Sequence, residues 1–372
     1  MNWTERLREA GRLWREPVLR HPVLIIESDD WGPGPPQDAG TLESIAAELE
    51  QHRDARGRCA VMTLGILLAV PDTKRMRDEQ ARDYARASLS APQFEPILAA
   101  IRRGTAAGVF SPQLHGMEHY WPDALIEASR RVPAVREWLM QDAVPRHEDL
   151  PSELQSRWID GANLPGRSLP LKAVKEAATA EASAFRELFG AAPTVAVPPT
   201  FVWSEPVEAA WCAAGVSVIV TPGRRYCGRN RDGKLVADTG RLHNGQTSGS
   251  GAMYVVRDDY FEPALGHRAA HGLRALAEKT ALGRPALLEM HRFNFTRLAT
   301  DREAALRELA SLLAAARERY PNLRFMSTAE LAAAIRRGDP ELVETRFFVR
   351  LRGWWRRALG SRTSKWTRLA FQ

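Results

Sequence analysis

The sequence predicts an α/β fold, a distorted (β/α) barrel of about seven parallel strands in a single domain, on three observations. From Pro22 onward, short apolar runs alternate with helix-length amphipathic stretches, the rhythm of βα units around a parallel sheet. The apolar runs are continuous rather than alternating, as in strands buried on both faces. The 372 residues suit one large barrel with additions better than two separable domains, because about seven βα repeats fill most of that length. Composition agrees: 44% hydrophobic and 26% charged residues exclude a disordered chain or a collagen-like fibre. Cys59, Cys212 and Cys227 lie far apart with no Cys-x-x-Cys spacing, which argues against a zinc-finger cage and a secreted disulfide framework.

Taken in order, Val23-Leu24-Ile25-Ile26 is the first strand, and a helical pattern covers 41–53. Residues 60–64 form the next strand, 91–103 a helix and 109–114 a strand. A long Ala-rich helix over 172–189 is ended by Gly190, the residue that most readily adopts the left-handed cap. Residues 194–197 and 216–220 are strands around a helix at 204–214. Then follow a helix at 267–281, a strand at 286–290, a helix at 301–319 and a last strand at 323–326. The final helix opens with Ser327 and Glu330 at capping-box spacing. Two segments, about 120–167 and 221–263, break the rhythm and read as insertions in a body spanning 21–338. The second, rich in Gly, Arg and Asn, is expected to be a loop or hairpin.

The body is flanked by a basic amphipathic segment (1–20) and a basic, Trp-rich tail (339–372). Eight Arg or Lys and no Asp or Glu lie between Arg346 and Gln372, interleaved with Phe347, Phe348, Trp354, Trp355, Trp366 and Phe371. The rest of the chain carries 44 basic against 45 acidic residues, so the net charge of +7 belongs to the tail. Such a segment suits peripheral association with an anionic membrane. The plainer alternative is a terminal helix that packs its Trp face on the body and solvates its Arg face. No nucleic acid partner is expected. Trp3, Leu7, Leu13 and Trp14 with Arg6, Arg8, Arg12 and Arg15 form a weaker version of the pattern. No apolar run reaches the ~20 residues of a membrane span, and the N-terminus lacks a signal peptide's apolar core. A cytoplasmic protein is expected, peripheral at the inner membrane face if the tail binds lipid.

The residues suited to chemistry stand where strands end. Val23 to Glu27 runs into Ser28-Asp29-Asp30-Trp31-Gly32, placing two carboxylates at the face where βα folds build active sites. A single Asp there is commonly just a turn residue; a pair is less easily explained so. His115-Gly116-Met117-Glu118-His119 follows another strand, and two His four apart on one helical turn can reach one metal ion. His267 and His271 repeat that spacing in an Ala- and Leu-rich helix without a carboxylate motif, so spacing alone is weak. Two His and one Asp would leave an open position for water, as in catalytic sites. In Leu287-Leu288-Glu289-Met290-His291, alternation puts Glu289 and His291 on one face; a core His bonded to a carbonyl is the bland reading. Val197-Pro198-Pro199-Thr200-Phe201-Val202-Trp203 is either a rigid loop with a backbone donor and an aromatic wall or a Pro-defined turn over core aromatics.

In this order the motifs resemble the polysaccharide deacetylase family, metal-dependent carbohydrate esterases that include chitin and peptidoglycan deacetylases. The family's T-F-D-D-G aligns with Glu27-Ser28-Asp29-Asp30-Trp31, and H-[ST]-x-x-H with His115 and His119, Gly116 at the small position. Of R-x-P-Y only Pro199 remains, with Val197 in the place of Arg, and the closing L-x-H matches Glu289-Met290-His291. The resemblance spans about residues 22–338. It implies that Asp30, His115 and His119 hold a divalent metal, zinc above others, with Asp29 the general base and His291 the general acid. Beside these carried-over roles, Trp31, Pro199, Trp203 and Arg257 are expected to line the substrate site, Trp31 adding bulk beside the base where the family has Gly and Arg257 offering from another loop a substitute for the Arg that the third motif lacks. The implied activity is removal of an acyl group, N-acetyl first, from a sugar or glycan precursor. The alternatives are hydrolysis of other non-peptide C–N bonds in small molecules on the same fold, and a catalytically silent glycan- or membrane-binding protein.

Overall fold

A computed structural model describes residues 3–367, with the side chains of 4–6 and 360–367 excepted. The side chains of Arg6 and Trp366, and all of Phe371, lie outside the described residues. Nine parallel strands make the main sheet: β1 (Val23–Trp31), β2 (Met62–Leu67), β3 (Phe110–Gly116), β4 (Val195–Ala196), β5 (Val218–Thr221), β6 (Met253–Val256), β7 (Asp259–Tyr260), β8 (Ala286–His291) and β9 (Arg324–Phe325). Their order is β6-β5-β4-β3-β2-β1-β8-β7, with β9 paired to the first two residues of β1. The α/β barrel class is thus observed, with nine strands rather than about seven.

β6 and β7 sit at opposite edges of this order, yet only Arg257 and Asp258 separate them in the chain. Three peptide links span at most ~11 Å, so the sheet curls until its edges nearly meet, with Arg257 at the seam.

Alternation sorts the side chains. Val23 and Ile25 of β1, Val195, Val197, Val218, Val220, Val255 and Leu287 form an apolar cluster inside the curl, completed by Leu331 of the helix Thr328–Arg337. Leu24, Ile26, Leu288 and Met290 face the other way, into the larger core beneath the surrounding helices. Along the inner stripe the chemistry changes halfway: Ile25 is followed by Glu27 and Asp29, and Leu287 by Glu289 and His291. The barrel is oily at the N-terminal ends of its strands and charged at their C-terminal ends.

The segment 120–167 contains helices Pro122–Ser129 and Pro133–Met140 over a small core of its own, with Leu125, Val135, Trp138 and Leu139. The segment 221–263 contains the expected hairpin, Tyr226–Arg229 with Leu235–Ala237. Its second half corrects the reading as an insertion, because it supplies β6 and β7 to the main sheet. Met253-Tyr254-Val255-Val256 is a strand-forming apolar run within a Gly-rich stretch.

The terminal helices Trp3–Arg15 and Phe347–Thr367 pack on each other. Trp14 meets Phe347 and Trp354 at 5.7 and 6.5 Å between ring centroids, and the Trp354 indole N–H donates to the Ala10 carbonyl at 3.0 Å. The expected Trp-in, Arg-out packing is only half met. Arg357 is buried, donating to the carbonyls of Glu16, Pro17, Leu282 and Gly283 at 2.8–2.9 Å, while Trp355 and Phe348 are exposed. A forked guanidinium can satisfy several buried carbonyls at once, which no Trp can do.

Candidate metal and catalytic site

β1 ends in an irregularity that makes the site. Successive strand residues should face opposite ways, yet the register with β2 shifts between Ser28 and Trp31, and Asp30 takes the left-handed φ of 72°. This bulge lets Asp29 and Asp30 serve one mouth. A non-glycine residue held there costs about 1–3 kcal/mol, of the kind concentrated at functional sites.

Asp30 is buried against imidazoles. Its Oδ1 lies 3.2 Å from His115 Nε2, 3.6 Å from His119 Nε2 and 3.4 Å from His147 Nε2. His115 ends β3 and donates through Nδ1 to the Val197 carbonyl at 2.9 Å, which leaves Nε2 with a lone pair. His119 reaches the site from a loop, not from the expected helical turn. Gly116 makes that loop through a φ of 133°, and a Cβ there would stand 2.9 Å from the Glu118 carbonyl oxygen. Glu118, between the two histidines, is buried and tied to Arg86 and Arg157 at 2.8 and 2.6 Å. It anchors the loop and leaves the imidazoles free.

This donor set fits a divalent cation. Asp30 Oδ1 and His115 Nε2 are buried without a hydrogen-bond partner, which is costly unless a positive group lies between them. The N···O separations bracket the ~3.3 Å between neighbouring ligands of a tetrahedral site with ~2.05 Å bonds. Asp30, His115 and His119 offer atoms all within 4.8 Å of one another. Burial opposes ionisation of Asp30, but His147, His115 and His119 hold its carboxyl well below the usual range. Burial and the neighbouring His147 push His119 well down, leaving it neutral, the form that ligates.

Asp29 faces a different environment. Arg257 Nη2 donates to its Oδ2 at 2.6 Å, while Nη1 donates to Glu27 at 2.7 Å and Nε stands 3.2 Å from Glu289. One guanidinium cannot keep three buried carboxylates ionised. Burial raises Glu27, and raises Glu289 to about 7 against the pull of Arg257. For Asp29, burial opposes ionisation, but Arg257 together with the nearby His115 and His291 holds the carboxyl below its ordinary value. Asp29 Oδ1 is buried and unpartnered, and Gly65 of β2 makes room for it, since a Cβ there would collide with that oxygen.

His291 pairs in register with Asp29 across β1 and β8. Its Nδ1 lies 2.6 Å from Glu262 and its Nε2 3.6 Å from Glu289. Burial disfavours the imidazolium, but the Glu262 hydrogen bond and the Asp30, Glu262 and Glu289 charges raise it to about 10.

Four sequence-predicted contacts need correction. Trp31 is wholly buried, its indole N–H donating to Ser28 at 2.9 Å and its ring packed on Phe295. Trp203 is equally buried and donates to Glu208 at 3.2 Å. Neither presents a wall to substrate; both are core, because bulky aromatics beside a polar strand end still bury their area. Arg257 is also buried and meets carboxylates rather than solvent. Pro199 is buried behind Gly116. The aromatic in that loop which does approach the site is Phe201, half-buried with the Arg257 guanidinium 5.2 Å from its ring. Thr200 and Phe201 both take positive φ, 54° and 55°, a second strained point at the mouth.

Sequence reasoning missed His147 and Glu262. His147 comes from the 120–167 segment and stacks on His119 with centroids 3.9 Å apart. Glu262 lies just after β7 and is held by Asn294 as well as His291. Neither sits in a motif or a periodic run; their nearest signal was a segment that broke the barrel rhythm.

No protein-family model matches the sequence, and no curated protein matches it. Solved structures do. The chain path is similar to that of deacetylases. A Mycobacterium smegmatis protein described as a polysaccharide deacetylase is 12% identical, over 87% of this chain and 93% of that one, with a TM-score of 0.41. Peptidoglycan deacetylase PdaC from Bacillus subtilis is 10% identical, over 86% and 94%, with a TM-score of 0.40. A family 4 acetyl xylan esterase from Clostridium thermocellum, solved with a cobalt ion, is 12% identical, over 84% and 90%, with a TM-score of 0.38.

Proposed function

We propose that this protein is a metal-dependent hydrolase that removes an acyl group, N-acetyl in the simplest case, from a sugar or glycan precursor. The observation that carries the reading is the shared mouth. Asp30 with His115 and His119 forms one donor set, while the guanidinium-held Asp29 stands in register with His291. A zinc ion on Asp30, His115 and His119 would lower the pKa of its water and polarise an acyl carbonyl.

The chain's own groups supply the proton transfers. Asp29, kept ionised by Arg257 and with Oδ1 uncommitted, is the base that takes the water's proton. His291 is held in its charged form through Nδ1 by Glu262, leaving Nε2–H to protonate the departing amine. Neighbouring parallel strands are ~4.8 Å apart, so residues in register hold base and acid at the same level of the mouth. Val197, in the place of the family's Arg, contributes its carbonyl to fix the His115 tautomer. The cation role passes to Arg257 from the other side of the barrel.

The test is acetate release from N-acetyl-chito-oligosaccharides, peptidoglycan fragments and acetylated xylan, with added zinc or cobalt. Release that chelator abolishes and metal restores is expected. Tight metal binding with no acetate from any of these would overturn the deacetylase reading.

A further inference from the structure

The molecule has a second built surface, at the opposite end from the mouth. The C-terminal helix turns Arg350, Trp354 and Arg357 inward, onto the N-terminal helix and the residues preceding β1 and β8. Phe348, Leu351, Trp355 and Leu359 form a stripe on its other side, at intervals of three and four residues, and are 81%, 38%, 58% and 46% exposed. That spacing puts them on one helical face, with exposed Arg352 and Arg356 beside it. On the adjoining N-terminal helix, Trp3 and Leu7 are exposed too, at 72% and 56%. Monomeric proteins rarely leave such an apolar stripe to water.

We propose that this face docks on an anionic lipid surface. Trp, Phe and Leu would enter the headgroup and upper acyl layer while the arginines meet phosphates. Charge selects the occupant: from Arg346 onward the chain has eight basic and no acidic residues, and with Arg350 and Arg357 turned inward, Arg352 and Arg356 stay exposed beside the stripe. A second copy would bring like charge against like. A nucleic acid would neutralise the arginines and leave the apolar stripe wet. Among the described residues no helix is long and apolar enough to cross a membrane, so the helix pair lies along the surface. Buried Arg357, bonded to four carbonyls, fixes the helix so that its stripe faces out.

The orientation follows. The helix pair is fastened to residues 16–19 and 282–283, at the N-terminal ends of β1 and β8, whereas Asp29, Asp30 and His291 stand at the C-terminal ends. The nine residues of β1 span about 30 Å. The docked protein therefore turns its mouth away from the bilayer, and its site acts on material reaching it from the aqueous side. This inference does not depend on the reaction proposed above.

The experiment is flotation of the full chain with vesicles of 30% phosphatidylglycerol in phosphatidylcholine, and with phosphatidylcholine alone. Binding to the anionic vesicles, weakening as salt rises from 50 to 500 mM, is expected, with at least about tenfold less on the neutral ones. Phe348→Ser with Trp355→Ser should lower anionic-vesicle binding at least about tenfold while leaving circular dichroism and metal content unchanged. Both residues are exposed, so the fold does not need them. Equal flotation of the double variant, or no flotation of the wild type, overturns the proposal. So does retention on single-stranded DNA or dimer formation in place of flotation.

Discussion

Two histidine pairs share one sequence spacing and have opposite fates. His115 and His119 converge on a buried carboxylate, and their rings lie 5.1 Å apart at 61°. His267 and His271 stack 5.0 Å apart, and each accepts a backbone N–H through Nδ1, from Glu262 at 3.1 Å and Arg268 at 3.0 Å. The second pair spends one ring nitrogen each, Nδ1, on ending a loop and starting a helix. The first has Nε2 of His115 buried and unpartnered beside Asp30 Oδ1. Spacing brings rings together; what faces them decides whether they can hold an ion.

The largest expected effect tests that contrast directly. Loss of an outer-shell partner typically costs 10–100-fold in metal affinity, so Asp30→Ala or His119→Ala should cost more than about 100-fold, and turnover with it. His271→Ala should leave metal binding unchanged. Titration with zinc against a chromophoric chelator measures all three, and equal affinities would erase the distinction between the pairs. Asp29→Asn separates ligand from base. It should keep the metal and lower kcat by about 10²–10⁴, the usual contribution of a positioned base. Loss of metal from this variant would mean that Asp29 is a ligand.

Arg257 is expected to act on stability as well as rate. Arg257→Ala leaves Glu27, Asp29 and Glu289 buried around a missing cation, and breaking such an arrangement typically costs about 3–5 kcal/mol. Denaturant unfolding should register this. Asp29 would also lose the charge that keeps it ionised, so the pH at which activity rises should move up. An Arg257→Ala protein of undiminished stability would mean that the carboxyls carry protons of their own.

The legible and illegible parts of the site divide along a physical line. Asp29, Asp30, His115 and His291 were legible because each follows an apolar run, and a parallel strand's end is a fixed place in the fold. Glu289 was legible through alternation. What alternation could not reveal is the bulge at Asp30, since it violates the pattern and only the register shift against β2 exposes it. Trp31 and Trp203 were read as cleft walls from adjacency to motifs. Adjacency does not specify a face, and both turned into the core. His147 and Glu262 lie in stretches without periodicity, so only the curled sheet brings them to Asp30 and His291. β6 escaped notice because four apolar residues in a Gly-rich segment barely differ from a loop.

A third kind of histidine sharpens the comparison with the smallest expected effect. His243 is buried between two carboxylates, with Nε2 2.9 Å from Glu9 and Nδ1 3.7 Å from Glu16, and it joins the N-terminal helix to the body. Arg12 faces Glu9, and Arg284 and Arg357 face Glu16. Burial opposes the charged ring, but hydrogen bonds to Glu16 and Glu9 raise its pKa above the ordinary 6.5. A raised histidine stabilises fully below its unfolded pKa, and that contribution fades as pH rises through the folded value. Glu9 goes the other way. Burial opposes its ionisation, yet His243 and Arg12 lower it from 4.5 to about 2, so its contribution is full above 4.5 and fades as pH falls toward 2. Docking of the N-terminal helix should therefore be tightest between about pH 4.5 and 6.5, loosening on both sides. Amide exchange of residues 7–15, corrected for intrinsic rates, measures it. In His243→Gln the alkaline loosening should vanish while the acid limb remains. Persistence of the alkaline limb in that variant would show that some other group holds the helix, and that carboxylates on both sides of an imidazole are not enough to make it a clasp.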